Sequence, residues 1–378
     1  MAADAWGFDR ERQDIARRLR TKRFRLSVTR AAVLVAILFV FVLGASASLR
    51  DAIFALHWPG WASAILFVVV LFGIFAAAEI PFGYVGGYRW EKATGLSSQT
   101  VAGWLKDLGK SLALALGASI LTGGALLWLL GESTMWWWLI AWALGLLVSA
   151  ILGFLAPVLL VPLFYRFRPL ADPSMKARFE SLATKAKVPI LGVFELRASE
   201  KTRRSNAAVM GLGRTRRVIV TDTLLQDFTP EEVETVLAHE LAHQRHRDPM
   251  RGFLSGAVVS FVILAFVGSL YTAILPGLGI GSPSDLAGLP LLAAVFALVS
   301  LPFRPLELLM SRSREARADE FSLELTNDPA NFIRAMVKLH DRNLGVADPR
   351  PWEKWLSYSH PPGRDRVEMA RAFRPRKA

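Results

Sequence analysis

Long apolar runs alternate with charged stretches along the 378-residue chain. An α-helix needs about 20 mostly apolar residues to cross the hydrocarbon core of a bilayer. Six runs meet this need with few or no charged side chains. Their length and their number argue against the core helices of a soluble protein. We predict membrane spans at roughly 31–49, 58–80, 111–131, 136–160, 253–275 and 286–303.

The charges between these runs set the orientation. A formal net charge of +13 would suggest nucleic-acid binding in a soluble protein, but basic loops are ordinary in membrane proteins. Six crossings place residues 1–30, 81–110, 166–251 and 304–378 on one side, and of the 45 lysines and arginines only Arg50 lies opposite. The positive-inside rule therefore predicts that both termini and the large loops are cytoplasmic. The partners expected are the lipid bilayer and no nucleic acid.

Five segments follow from this pattern. Residues 1–30 should form a basic, solvated cytoplasmic arm that touches anionic headgroups. Residues 31–165 should hold four transmembrane helices with a cytoplasmic loop at 81–110, and residues 252–303 two more. Residues 166–251 combine strand-like runs at 188–196 and 218–221 with a helix, and residues 304–378 are mainly helical. The predicted fold is a mainly α, multi-pass membrane protein with about six transmembrane helices and an α+β domain.

The helix within 166–251 has clear sequence signals for its N-terminus. Thr229 is a good N-cap, Pro230 suits the first helical position, and Glu232 stands three residues after the cap, as in a capping box. We expect this helix to run to about His246. Val236, Leu237, Leu241 and Ala242 would form its buried side.

This helix carries the pattern HELAH at 239–243. Residues four apart share a helix face, so His239 and His243 can bind one Zn²⁺. Glu240 can then act as general base toward a water whose pKa the metal lowers to about 7. Histidine is rare here, six in the chain, which makes a chance match improbable. The chain has no cysteine, so the ligands must be imidazole and carboxylate.

A catalytic zinc site has three protein ligands and one open position. His246 lies on the same helix but at a poor angle for the same metal. The segment SRSREARAD at 311–319 offers Glu315 as a ligand, and Asp319, four residues later, could accept a ring N–H from a ligand histidine. From spacing alone, a salt-bridged surface helix explains this segment equally well.

The HELAH and SRSREARAD segments and the six-span layout resemble the type I CAAX prenyl endopeptidases, integral-membrane zinc metalloproteases with a zincin-like domain. Further matches to that family run from about residue 31 to 370. They lie at 90–96 (WEKATGL), 104–107 (WLKD), 162–170 (PLFYRFRPL), 205–207 (SNA), 217–225 (RVIVTDTLL) and 359–362 (SHPP), with Arg366 beyond.

The resemblance implies specific roles. It makes His239, His243 and Glu315 the ligands of one zinc ion per chain, Glu240 the catalytic base and Asp319 the partner of a ligand histidine. It implies that Asn206 and Ala207 bind an extended substrate backbone at an edge strand. It also implies that His360 and Arg366 lie near the substrate carbonyl and stabilise the oxyanion. The expected substrate is a peptide or protein, with lipidated and membrane-bound proteins among the candidates.

Three features depart from the family. The eukaryotic members have an additional N-terminal span, so we expect a bacterial plasma-membrane protein. Ala208 stands where the family usually has an aromatic residue. Asp248, five residues after His243, is similar to the HtpX-type proteases, which makes quality-control cleavage of misfolded membrane proteins the alternative function.

Two other classes of protein are disfavoured. A transporter or channel would need ionisable residues in mid-span, where the chain has almost none. A catalytically silent scaffold would be expected to have lost Glu240 or a ligand. The sequence leaves the oligomeric state open.

Overall fold

The computed structural model describes residues 3–133, 135–211 and 213–375. Within these residues, six helical runs are long and apolar enough to cross a membrane, which confirms the predicted multi-pass architecture. The first two and last three residues of the predicted end segments lie outside the described part. The six runs are Arg10–Phe54, Gly60–Ala93, Val101–Glu132, Trp137–Phe164, Asp248–Leu278 and Leu286–Thr326.

Sixteen α-helices and four strands are found in the described residues. The helices up to the end of the fourth span are α1 (Arg10–Val40), α2 (Ser46–Phe54), α3 (Gly60–Gly83), α4 (Trp90–Ala93), α5 (Val101–Glu132), α6 (Trp137–Leu155) and α7 (Val161–Phe164). The remaining helices are α8 (Pro173–Lys185), α9 (Asp222–Asp227), α10 (Pro230–Arg245), α11 (Asp248–Ile274), α12 (Leu289–Ser300), α13 (Arg304–Thr326), α14 (Pro329–Asn343), α15 (Pro351–Ser357) and α16 (Gly363–Ala372). The strands are β1 (Phe167–Pro169), β2 (Gly192–Leu196), β3 (Ala207–Met210) and β4 (Arg217–Thr221).

The N-terminal segment differs from the predicted solvated arm. From Arg10 onward it is helical and continues within α1 into the first span, where a π-helical turn at Phe41–Ala45 joins α1 to α2. Ala16 and Leu19 are buried against Leu344 and Val346 from the C-terminal part of the chain. These apolar contacts, some 330 residues apart in sequence, fix the segment to the domain.

The predicted loop at 81–110 is also mostly helical. Helix α3 continues to Gly83, a π-helical turn covers Tyr84–Arg89, and α5 already begins at Val101. Only residues 94–100 connect the second and third spans outside helices. The second span thus extends beyond its apolar part into the region where the strands lie.

The four strands form one sheet in the order β1-β2-β4-β3. Strands β2 and β4, where strand-like runs were predicted, are parallel, and the two outer strands pair antiparallel with them. Strand β3 is an edge strand that pairs with β4. The main core of the domain lies between this sheet and helices α8, α10 and α14, and it includes Phe179, Val220, Leu224, Leu237, Leu241 and Phe332.

Helix α10 begins as predicted. The Thr229 side chain accepts the Glu232 backbone N–H, and the Glu232 carboxylate accepts the Thr229 N–H at 3.0 Å, which completes the capping box. Helix α13 packs along it, and the Ser322 hydroxyl donates to the Thr235 carbonyl at 2.8 Å. After α10 ends, Arg247 adopts a left-handed conformation with φ of 57°, and the chain turns into α11.

Candidate active site

Three predicted ligands converge from two helices. His239 and His243 project from α10, and Glu315 reaches them from α13. The Nε2 atom of His239 lies 3.1 Å from Oε2 of Glu315, and the Nε2 atom of His243 lies 3.5 Å from its Oε1. Each residue offers one ligand atom within 4.8 Å of the other two. His246 instead packs its ring edge-on against Phe321.

The spacing of these atoms fits a tetrahedral metal site. Bonds of about 2.0–2.1 Å to a tetrahedral Zn²⁺ place its ligand atoms roughly 3.3 Å apart. The distances of 3.1 Å to Oε2 and 3.5 Å to Oε1 of Glu315 are close to this value, and one ligand atom from each residue lies within 4.8 Å of the other two. Two imidazoles and one carboxylate also match the donor types of catalytic zinc sites, which leave a fourth position open. The residues present therefore fit a bound metal ion.

Each histidine is oriented by a buried carboxylate. The Nδ1 atom of His239 lies 2.8 Å from Oδ1 of Asp319, and that of His243 lies 3.0 Å from Oδ2 of Asp248. Such contacts fix the tautomer and direct Nε2 toward the metal position. Asp319 was predicted for this role. Asp248 was not, because its approach to His243 depends on the left-handed turn at Arg247.

The carboxylates of this site favour positive charge on His239. Burial opposes charge on His239, but the charge and hydrogen bond of Asp319, together with Glu315, raise its pKa to about 9. A proton and a metal ion therefore compete for this ring. Burial also raises the pKa of Glu240, although the nearby histidines oppose the shift.

Glu240 and His239 line a cavity of about 260 Å³. Asn206 lies on its wall and is exposed, whereas Ala207 is buried as the first residue of β3. The Asn206 backbone N–H donates to the Thr221 hydroxyl at 3.0 Å, which anchors the start of the edge strand to β4. The structure thus places the outer edge of the sheet next to Glu240.

His360 and Arg366 both reach this cavity but make different contacts. The Nε2 atom of His360 lies 3.3 Å from Oε2 of Glu315. Arg366 instead donates from Nε to Oδ2 of Asp319 at 2.8 Å and from Nη2 to Oδ1. Two of its nitrogens are thereby committed to the carboxylate that orients His239. Because Arg366 also lines the catalytic cavity, its contact with the substrate carbonyl stays a prediction.

Two further residues hold the site together and were not predicted. The buried Arg312 donates from Nη1 to the carbonyls of Lys354 and Tyr358, at 3.0 and 2.8 Å, and so fixes the segment that carries His360. Asn343 accepts the Ser205 N–H and donates to the Ser205 carbonyl, both at 3.0 Å, just before the edge strand. Both act through backbone groups far away in sequence, which no local pattern reveals.

Comparison with known proteins gives two family matches that together cover most of the chain. Residues 169–374 match the model of peptidase family M48, and residues 7–166 match that of the CAAX prenyl protease N-terminal region, described as five membrane helices. An uncharacterized metalloprotease, YhfN of Bacillus subtilis, is 30% identical over 80% of this chain and 72% of its own length. CAAX prenyl protease 1 of Saccharomyces cerevisiae is 27% identical over 79% of this chain and 70% of its own length.

The fold has a counterpart of known structure. The crystal structure of S. mikatae Ste24p superposes with a TM-score of 0.84, covering 97% of this chain and 90% of that chain at 23% sequence identity. This likeness spans the membrane helices and the sheet together. The arrangement of spans around a small α+β domain is therefore shared.

Proposed function

The chain belongs to peptidase family M48, and from that premise we propose that it is a zinc-dependent endopeptidase acting at the cytoplasmic face of a bacterial plasma membrane. It is a membrane metalloprotease with a peptide or protein substrate. The single observation that supports the catalytic assignment is the convergence of His239, His243 and Glu315 beside Glu240.

In the proposed site, His239, His243 and Glu315 would hold one zinc ion. When bound, zinc would supply a Lewis acid that lowers the pKa of water to about 7 and polarises a carbonyl. Asp319 and Asp248 keep the two rings oriented, and Arg366 neutralises the buried charge of Asp319. The two carboxylates therefore maintain the ligand geometry without touching substrate.

The remaining residues move protons and position the peptide. Glu240 accepts a proton from the attacking water and delivers it to the leaving amine. The substrate backbone pairs with β3 from Asn206 onward, as an added strand at the sheet edge. His360, 3.3 Å from Glu315 on the cavity wall, is the side chain proposed to stabilise the oxyanion.

The orientation rests on the distribution of basic residues and on helix continuity. Helix α11 enters the fifth span two residues after α10 ends, and the sixth span continues through a 3₁₀ turn into α13. The site therefore lies on one helix that ends just before the fifth span and on another that continues the sixth, which supports cleavage at the membrane face. Since nearly all lysines and arginines lie on this side, we assign it to the cytoplasm.

The substrate remains a choice between two kinds of protein. Several relatives are named CAAX prenyl proteases, which supports a dedicated processing step more than HtpX-like quality control. Mapping cut sites on a prenylated peptide and on a damaged membrane protein separates the two. A single defined site in the peptide supports processing, and scattered sites confined to the damaged protein support quality control.

The central experiment compares metal content and peptide cleavage in purified variants. Glu240→Gln should retain about one zinc per chain and lose about 10²–10⁴-fold in cleavage rate, because only the general base is removed. Glu315→Gln should lose metal as well. Glu234→Gln is the matched control, since Glu234 lies on the same helix but pairs with Arg178 at 2.5 Å. Undiminished cleavage by Glu240→Gln would remove this residue from the mechanism.

A further inference from the structure

Helix α15 presents an apolar face that is largely exposed. Trp352, Trp355 and Leu356 stand at positions i, i+3 and i+4, so their side chains share one face of this helix. The three residues are 41%, 55% and 57% exposed. A cluster of large exposed apolar side chains usually marks a contact with a partner protein or with a membrane.

Polar contacts hold the rest of α15 on the domain. Lys354 pairs with Asp365 of α16 at 2.5 Å. Arg312 of α13 donates to the carbonyls of Lys354 and Tyr358 at 3.0 and 2.8 Å. The orientation of the helix is therefore fixed, and its apolar face is directed outward and not into the core.

The apolar face continues an exposed stripe of the first span. Large apolar side chains are exposed at intervals of four or seven residues along this run, as expected for one side of a helix that faces lipid. They are Phe24, Val28, Val35, Phe39 and Leu43. The Phe24 ring, at the N-terminal end of the stripe, meets the Trp352 ring edge-on with 5.3 Å between the centroids. The apolar surface of the first span therefore extends onto α15.

The sixth helical run has a similar exposed surface. Its exposed large apolar residues are Phe296, Leu298, Leu301, Leu306 and Leu309. Three residues beyond Leu309, the guanidinium of Arg312 lies over the Trp355 ring, 5.8 Å from the centroid. Helix α15 therefore lies between the domain-side ends of two apolar surfaces.

The level of α15 along the membrane normal follows from these contacts. At 1.5 Å per residue, Phe24 lies about 10 Å before Ala31, the first residue of the first uncharged run. Leu309 lies about 9 Å beyond Phe303, the end of the sixth uncharged run. Headgroups occupy roughly 5–8 Å on each side of the hydrocarbon core. Helix α15 therefore lies at the outer boundary of the headgroup layer, and a tryptophan side chain is long enough to enter this layer.

We propose that α15 is an interfacial anchor, with Trp352, Trp355 and Leu356 inserted among the lipid headgroups on the side of the bilayer where the domain lies. Tryptophan is enriched at this level of membrane proteins because its ring is amphipathic. This membrane contact rests on the architecture of the spans and not on the catalytic assignment.

A lipid surface fits this face better than a protein partner. The face joins two apolar surfaces of spans that lipid covers, so the bilayer reaches it without any further partner. Lys22 and Arg25 are exposed beside Phe24, and basic residues next to an apolar face attract anionic headgroups. The lipid tail of a substrate and a second copy of this chain are the competing occupants.

The anchor has a consequence for the proposed active site. Tyr358 follows α15, and His360 stands two residues later on the wall of the catalytic cavity, 3.3 Å from Glu315. Arg312 ties the same short segment to α13. Insertion of α15 among the headgroups therefore positions His360, and the three apolar residues are positioning residues. This consequence, unlike the membrane contact, rests on the proposed endopeptidase function.

The membrane contact is tested by fluorescence quenching on the full-length protein in phosphatidylcholine vesicles. The chain has no cysteine, so Leu356→Cys carries a single thiol-reactive fluorophore. Nitroxides placed at the headgroup end of the lipid acyl chains should quench it as strongly as the same label in Val35→Cys on the first span. Glu324→Cys, which lies 21 residues beyond Phe303 near the far end of α13, is the negative control and should stay unquenched.

The consequence for catalysis is tested by peptide cleavage in the same vesicles. Leu356→Gln should lower kcat by about 10–100-fold with KM and zinc content little changed, since a misplacement of about 1 Å costs about 100-fold. Leu356→Met keeps an apolar side chain and should retain the wild-type kcat. Leu278→Gln, at an exposed leucine on the opposite side of the membrane, is the matched control and should behave as the wild type.

The outcomes separate the anchor from the proposed function. An unquenched Leu356→Cys label refutes the anchor. Protection of this unquenched label from iodide only after addition of a lipidated peptide would assign the face to substrate, and protection that rises with the protein-to-lipid ratio would assign it to a second copy. Quenching together with an unchanged kcat in Leu356→Gln supports the anchor and refutes its role in positioning His360. If the wild type cleaves no peptide, the proposed function fails, while the quenching result still decides the anchor.

Discussion

The pair of carboxylates behind the two histidines leads to a quantitative prediction. Asp248 contacts His243 at 3.0 Å, and Asp319 contacts His239 at 2.8 Å. Replacing such an outer carboxylate typically weakens metal binding by about 10–100-fold, equivalent to about 1.4–2.8 kcal/mol. We expect Asp248→Asn to bind zinc more weakly by this amount.

The same change at Asp319 should have an additional effect on folding. Asp319 is fully buried and also forms the ion pair with Arg366, whose side chain is only 10% exposed. Removing one partner of a buried pair costs about 3–5 kcal/mol, because the other charge stays buried. Asp248 has one additional partner, Arg317, at 3.5 Å. Because the Arg317 side chain is 44% exposed, this ion pair contributes little to the free energy of unfolding.

The assay combines zinc competition against a chromophoric chelator with thermal unfolding of the metal-free protein in detergent. Asp248→Asn should bind zinc more weakly with little change in the unfolding temperature. Asp319→Asn should bind zinc more weakly and also unfold at a lower temperature. Asp348→Asn, in an exposed pair with Arg364, is the control. Equal zinc affinity in Asp248→Asn and the wild type, or equal instability of both site variants, would refute the reasoning.

Three further predictions concern stability and topology. Thr229→Ala removes the cap of the metal-binding helix and should lower the free energy of unfolding by about 1 kcal/mol in denaturant titrations; no change would mean that the capping box is dispensable. Burial lowers the pKa of His340 to about 4, below its unfolded value of about 6.5. The unfolded chain therefore takes up the proton first, so the thermal unfolding temperature should fall between pH 6.5 and 4, and it should fall less in His340→Asn. Because the chain has no cysteine, His57→Cys and Lys185→Cys give single labelling sites, and a membrane-impermeant maleimide should label only His57→Cys in intact cells; labelling of Lys185→Cys would reverse the orientation.

The architecture of the membrane part followed from local composition. An uncharged run of about 20 residues has few alternatives to a membrane span, so the number and the order of the spans could be predicted. The ends of the helices that contain them could not be predicted. Polar residues at 10–30 and 84–93 continue the helices of the first and second spans because they pack on the domain or on each other. Such contacts cannot be predicted from apolar content alone.

The site was predictable where its spacing is helical. His239 and His243 share a face of one helix, and Glu315 and Asp319 share a face of another. Asp248, Arg312 and Asn343 were missed because each depends on a turn or on backbone groups from distant segments. Arg366 could be placed near the site through the family resemblance, but its ion pair with Asp319 required the three-dimensional structure.

The helical run from Leu286 to Thr326 includes both the sixth span and Glu315, the proposed third metal ligand. Fifteen residues separate Ser300 from Glu315, about 22 Å at 1.5 Å per residue. If the sixth span tilted by about 3°, Glu315 would move by roughly 1 Å at this distance. A misplacement of about 1 Å can slow a reaction about 100-fold. Because spans tilt to match hydrocarbon thickness, the turnover rate should depend on acyl-chain length.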